Sequence, residues 1–221
     1  MNRDFKLLVF DWDGTLMDSE ARIVACIRAA SADIGLEVLP DSTIRNIIGL
    51  GLREAIEALY PGSSEDIHRG MTERYRYHFL TADPTPTQLF DGAAETLKYL
   101  DEQGYLLAVA TGKGRNGLDR VLEETGLRTL FHTTRCADET FSKPHPLMLN
   151  EIMEELGTEP GDTLMIGDTE YDMLMARNAR TPALAVSYGV HELERLLKHQ
   201  PAGHIDSITE LLPWLGVRGA A

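Results

Sequence analysis

Cysteine is scarce in this sequence: Cys26 and Cys136 are the only two, and they fit no Cys-x-x-Cys spacing. That excludes a disulfide framework and a thiolate zinc site. Basic residues are in short supply as well, 21 against 35 acidic ones, for a formal net charge of −14. Nonspecific binding to nucleic acid or to anionic lipid needs a basic surface, so neither is expected as a partner. An anionic substrate would have to be drawn in by a local cation or a metal. Long apolar runs are missing too. No stretch approaches the ~20 residues that span a bilayer, and the apolar segment after Arg3 and Lys6 is too short for a signal peptide. A cytoplasmic protein with no membrane partner is expected. Internal repeats and low-complexity tracts are likewise absent. The 221 residues, 43% hydrophobic and 25% charged, have an ordinary globular composition. They suffice for one large domain or for a core plus a smaller module.

What is there begins with Leu7-Leu8-Val9-Phe10-Asp11-Trp12-Asp13-Gly14-Thr15-Leu16. Four apolar residues without polar alternation fit a strand buried on both faces, as in a parallel sheet. Asp11 and Asp13, at i and i+2 of an extended segment, point to the same side. In open α/β sheets ligands bind at the carboxyl ends of the strands, where this pair falls. Two carboxylates so close need a cation, a proton or hydrogen bonds to offset their repulsion. Alone, the stretch also reads as a polar turn closing a strand. A calcium loop fits less well, because its glycine belongs at position six and here stands at four.

Further along, apolar spacing predicts a helix from Ser19, as cap, to Ile34. Short helices follow from Pro40 to Ile48 and from Leu52 to Tyr60, and a longer one from Ser64 to Leu80. Pro84-Thr85-Pro86 is a stiff link. From Asp91 an α/β rhythm takes over. Strands are predicted at Tyr105–Ala110, Thr129–Thr133, Thr163–Ile166, Ala183–Val186 and around His204-Ile205. Helices are predicted at Gly92–Gln103, Asn116–Thr125, Pro146–Leu156, Tyr171–Ala179 and His191–His199, with a helical turn at Ser207–Trp214. Alternation of this kind predicts a Rossmann-like parallel sheet covered by helices on both faces. Residues 1–16 and 86–221 form the expected α/β core, and residues 17–85 an inserted α-helical cap.

Three more strand ends or loops carry polar groups suited to phosphate. Thr111-Gly112 offers a hydroxyl and an amide to a phosphoryl oxygen. Lys143, held between a loop and the Pro144-His145-Pro146 helix start, is a compact point charge. Asp168 and Asp172 lie one helical turn apart at the end of another buried strand. Each has a plain structural alternative: a Thr-Gly turn, a surface lysine, a capped helix N-terminus. Their joint occurrence on one side of the sheet favours a common site.

Asp11-Trp12-Asp13-Gly14-Thr15-Leu16, Thr111-Gly112, Lys143-Pro144 and Gly167-Asp168-Thr169-Glu170-Tyr171-Asp172 resemble, in order, the four motifs of the haloacid dehalogenase superfamily. The helical insertion after the first motif resembles that superfamily's small cap. The similarity is to the branch of phosphoglycolate phosphatases and β-phosphoglucomutases. It implies a magnesium-dependent phosphatase acting through an aspartyl phosphate. Asp11 would be the nucleophile and Asp13 the general acid and base. Thr111 and the Gly112 amide would hold the phosphoryl oxygens, and Lys143 would neutralise their charge. Mg²⁺ would be held by Asp11, the Asp13 backbone carbonyl and Asp168, with Asp172 orienting that shell.

Within that branch, Asp13 argues for a phosphate ester, since a halide leaving group needs no proton. Residues 17–85 contain no lysine, which disfavours the relative that forms a Schiff base through its cap. Ile23 stands where the mutase has a cap histidine. Arg53, after Gly49-Leu50-Gly51, matches a cap arginine that holds a second anionic group, or is an ordinary surface arginine. The substrate expected is a small, anionic phosphorylated metabolite such as 2-phosphoglycolate, bound by a monomer or homodimer. A sugar-phosphate phosphatase, a phosphotransferase and a non-catalytic binding protein are the alternatives.

Overall fold

The computed structural model describes residues 5–217. Its centre is strand β1, Leu7–Phe10, whose four residues are all buried. Side chains alternate across it: Leu8 and Phe10 join one apolar cluster, Leu7 and Val9 another. A strand apolar on both sides must be covered on both, and it is. β4 (Leu106–Thr111) and β6 (Thr163–Gly167) flank it in parallel. Beyond them lie β5 (Thr133–Cys136) on one side, and β7 (Ala183–Val186) and β8 (Gly203–Ile205) on the other. All pairings in this six-stranded sheet are parallel.

Helices α5 (Ala93–Glu102) and α6 (Arg115–Thr125) cover the Leu8–Phe10 face. Helices α7 (Leu147–Leu156), α8 (Glu170–Ala179) and α9 (Leu193–Leu197) cover the other, their methionines and leucines packing on the small Ala108, Ala110, Ala183 and Ala185. The sheet is Rossmann-like, as predicted.

Between β1 and α5 runs a helical layer: α1 (Glu20–Asp33), α2 (Asp41–Arg45), α3 (Leu52–Leu59) and α4 (Glu65–Tyr77). It has its own apolar cluster, which includes Ile27, Ile44, Ile56 and Met71. Its entry and exit lie side by side. β2 (Met17–Asp18) pairs antiparallel with β3 (Gln88–Leu89). Two residues a side carry no readable periodicity, so the sequence does not reveal this ribbon.

One predicted strand is displaced. Residues Arg128–Leu130 form a 3₁₀ turn, and β5 starts only at Thr133. Phe131 ends the turn by packing edge-on against Trp12, centroid to centroid 6.2 Å. β5 is an edge strand whose Arg135 is exposed enough to pair with Glu151 and Glu155. Its polar sequence lacks the apolar run that betrays the central strands.

Candidate active site

Because β4, β1 and β6 are adjacent and parallel, Thr111, Asp11 and Asp168 come out on one edge of the sheet. All three are buried, as are Asp172 in the first turn of α8 and Lys143 in the loop before α7. Gly14 makes the turn after β1 with φ +80, and a Cβ there would lie 2.2 Å from Asp168 Oδ2. Only glycine suits both that conformation and that approach.

Lys143 Nζ lies 2.8 Å from Asp11 Oδ1 and 2.7 Å from Asp172 Oδ1. Burial opposes its charge, but the Asp11 and Asp172 carboxylates outweigh it and push the ammonium up to about 12. The Trp12 N–H donates to Asp11 Oδ1 at 2.6 Å, while Asp11 Oδ2 is buried with no hydrogen-bond partner. Burial raises the Asp11 carboxyl well above its usual range, against the pull of Lys143. Thr15 Oγ1 donates to Asp168 Oδ1 at 2.7 Å and the Val190 N–H to Oδ2 at 2.9 Å. Even so, burial and then the Asp172 carboxylate push Asp168 up to about 7.

Asp172 serves two ends at once. Its Oδ2 accepts from the Thr169 N–H at 3.0 Å and from the Thr169 hydroxyl at 2.7 Å, capping α8, while Oδ1 faces Lys143. The capping role that competes with a site role in the sequence is thus present alongside it. The cap residue itself is Thr169, not Asp168.

Asp11, Asp168 and Asp172 each offer a carboxylate oxygen within 4.8 Å of the others. Three carboxylates against the single Lys143 ammonium leave two negative charges uncompensated when all are ionised. This donor set fits a hard divalent cation, which takes carboxylate oxygens and offsets that excess.

Asp13 stands apart from this triad. Its Oδ1 accepts from the Ser19 hydroxyl at 2.5 Å, and Lys113 Nζ reaches Oδ1 and Oδ2 at 2.8 and 2.9 Å. Neither partner is expected from the sequence. Ser19 precedes α1 but makes no side-chain cap bond; its hydroxyl serves Asp13 instead. Lys113 follows the Thr111-Gly112 pair directly, and its position two residues past a strand end was the available signal. Its stem is buried, and the ammonium lies 4.6 Å over the Phe79 ring.

The helical layer sits down on these strand ends. The Gly51 N–H donates to Ser142 Oγ at 2.7 Å. A Cβ on Gly112 would meet the Leu50 and Gly49 carbonyl oxygens at 2.5 and 2.6 Å, so this glycine admits the layer's loop. Between floor and roof is a cavity of about 60 Å³ that includes Asp11, Asp13, Thr111 and Gly112.

Arg53 is not brought to it. The side chain is 65% exposed and pairs with Glu65, Nη1 to Oε2 at 3.1 Å, on the outer side of α3 and α4. The expectation that it faces the site is corrected: an acidic neighbour from the start of α4 competes for the guanidinium and holds it in water.

The family model of the haloacid dehalogenase-like hydrolases matches residues 8–186. The Dickeya dadantii protein named "Probable phosphatase IndB" is 34% identical over 210 residues, 93% of this chain and 91% of that one. A phosphoglycolate phosphatase of Vibrio vulnificus is 27% identical over 219 residues, 95% of this chain and 96% of that one. The crystal structure of a hydrolase from Pseudomonas syringae shares the fold, with a TM-score of 0.86 at 22% identity, covering 95% of this chain and 97% of that one. The chain belongs to the haloacid dehalogenase-like hydrolase family.

Proposed function

We propose that the protein hydrolyses small phosphate monoesters through an aspartyl phosphate on Asp11, with Mg²⁺ as its cation, under a lid formed by residues 17–85. The observation that carries this reading is Asp11 Oδ2, buried and without a hydrogen-bond partner beside the Lys143 ammonium. A carboxylate oxygen left free beside an ammonium is a nucleophile with no bond to break before it attacks. The relatives named as phosphatases support the same chemistry.

Asp11 forms the bond to phosphorus while the ester oxygen departs. Asp13 gives that oxygen its proton and then accepts one from the water that cleaves the acyl phosphate. Ser19 and Lys113 fix the rotamer of Asp13 for both transfers. Lys143, with the Thr111 hydroxyl and the Gly112 amide, faces the phosphoryl oxygens as negative charge builds on them. Asp11, Asp168 and the Asp13 backbone carbonyl would hold Mg²⁺, Asp172 behind them, and the ion would supply the charge that lets two anions meet. The lid excludes water from this step.

The test is hydrolysis of p-nitrophenyl phosphate by the purified chain with Mg²⁺ and after its removal with EDTA. Activity with Mg²⁺ and its loss with EDTA are expected. Magnesium should also raise the melting temperature, by about 2.7 kcal/mol of stability at a hundred times its Kd. Asp168→Asn should abolish that rise. Metal-independent turnover would overturn the cation assignment.

A further inference from the structure

The roof of the cavity differs from its floor. From the lid it is lined by Ile23, Ile27, Ile47, Ile48, Leu52 and Tyr75, and no charged lid residue is among its lining. Burial, and after it the Asp13 carboxylate, holds the Tyr75 phenol well above its ordinary value, so Tyr75 is a neutral group. The ammonium that lines the cavity, Lys113, comes from the floor, and both oxygens of Asp13 already engage it. Arg53 lies outside, paired with Glu65.

A carboxylate or second phosphate on the alcohol part of a substrate would be desolvated against isoleucine with no free counter-charge, an unfavourable exchange. An alkyl group would replace water there at a gain. We infer that the substrate is a phosphate monoester of an uncharged, largely apolar alcohol, and that the Ile and Leu roof selects it over anionic esters such as 2-phosphoglycolate. This rests on the phosphatase reading above.

The test compares kcat/KM for 2-phosphoglycolate with that for ethyl phosphate, which lacks the carboxylate, and then for propyl and butyl phosphate. Ethyl phosphate should exceed 2-phosphoglycolate by roughly a hundredfold. Each added methylene should gain about fourfold until the cavity is full. Leu52→Lys places a cation on the roof at a half-buried position, where the long stem can reach water if it must. It should shift the ratio of the two rates toward 2-phosphoglycolate by roughly tenfold or more. Equal rates for the two esters, or a preference for 2-phosphoglycolate, would overturn the inference while leaving the phosphatase reading intact. No turnover of either ester or of p-nitrophenyl phosphate would overturn both. The ranking by the unmodified chain stands whether or not the Leu52→Lys variant folds.

Discussion

The floor and the roof of the cavity are built on opposite terms. The floor is the strand-end set Asp11, Asp13, Thr111, Gly112 and Lys113, and Asp11 is held in turn by the buried group of Lys143, Asp168 and Asp172. The roof is an apolar surface of α1, the α2–α3 loop and α3 that also belongs to the helical layer's own core, since Ile23, Ile27, Ile47, Ile48 and Ala55 line both. On the proposed reading chemistry is separated from selection: charge on the floor would act on the phosphate that every substrate shares, while the roof would meet the part in which substrates differ.

This division can be broken most severely at Asp11. Asp11→Asn should lower kcat by at least about 10⁴-fold for every substrate, because the proposed nucleophile is removed whatever the roof meets. The chain should keep its fold, with an unchanged circular dichroism spectrum and a cooperative melt. Asp13→Asn should cost roughly 10²–10⁴-fold, the range of a general acid–base group. The loss in phosphoenzyme formation should be greater for an alkyl ester than for an aryl ester, whose leaving group needs little protonation. Equal losses would remove the acid role.

Lys113→Met sharpens the comparison, because this residue serves the floor yet touches Phe79 of the lid. It should reduce kcat by roughly tenfold to a hundredfold through loss of a charge-assisted bond to Asp13. As a positioning residue it should move kcat more than KM, and the order of preference among alkyl esters should be kept. The smallest effect belongs to Arg53→Ala. A water-exposed ion pair contributes little, so rates for 2-phosphoglycolate and ethyl phosphate should both stay within about twofold. A selective loss for 2-phosphoglycolate would return Arg53 to the site.

The floor was the legible half. Leu7–Phe10 and Thr163–Gly167 are unbroken buried runs, and an acid at the end of such a run has few structural reasons to be there. Topology then does the assembly, because adjacent parallel strands deliver their ends to one edge. What escaped has a physical reason in each case. Ser19 stands in a helix-capping position and Lys113 in a turn, so local readings satisfied both, although the partner of each is Asp13. Arg53 was left open between site and surface because its rival, Glu65, lies in the next helix, and spacing says nothing about which of two anions a guanidinium meets. β5 was shifted because an edge strand is half-exposed and polar. The roof could not be read at all: the isoleucines of a lid core and those of a substrate cavity have the same helical period.

The claim that Asp11 carries the phosphoryl group is tested most directly by acid-quenching Asp13→Asn during a single turnover of p-nitrophenyl phosphate. This variant keeps the nucleophile and lacks the base that activates water, so the acyl phosphate should accumulate. Peptide mass spectrometry should find one phosphoryl group on Asp11. An unmodified Asp11 peptide while p-nitrophenol is released, or a phosphoryl group on another residue, would contradict the account.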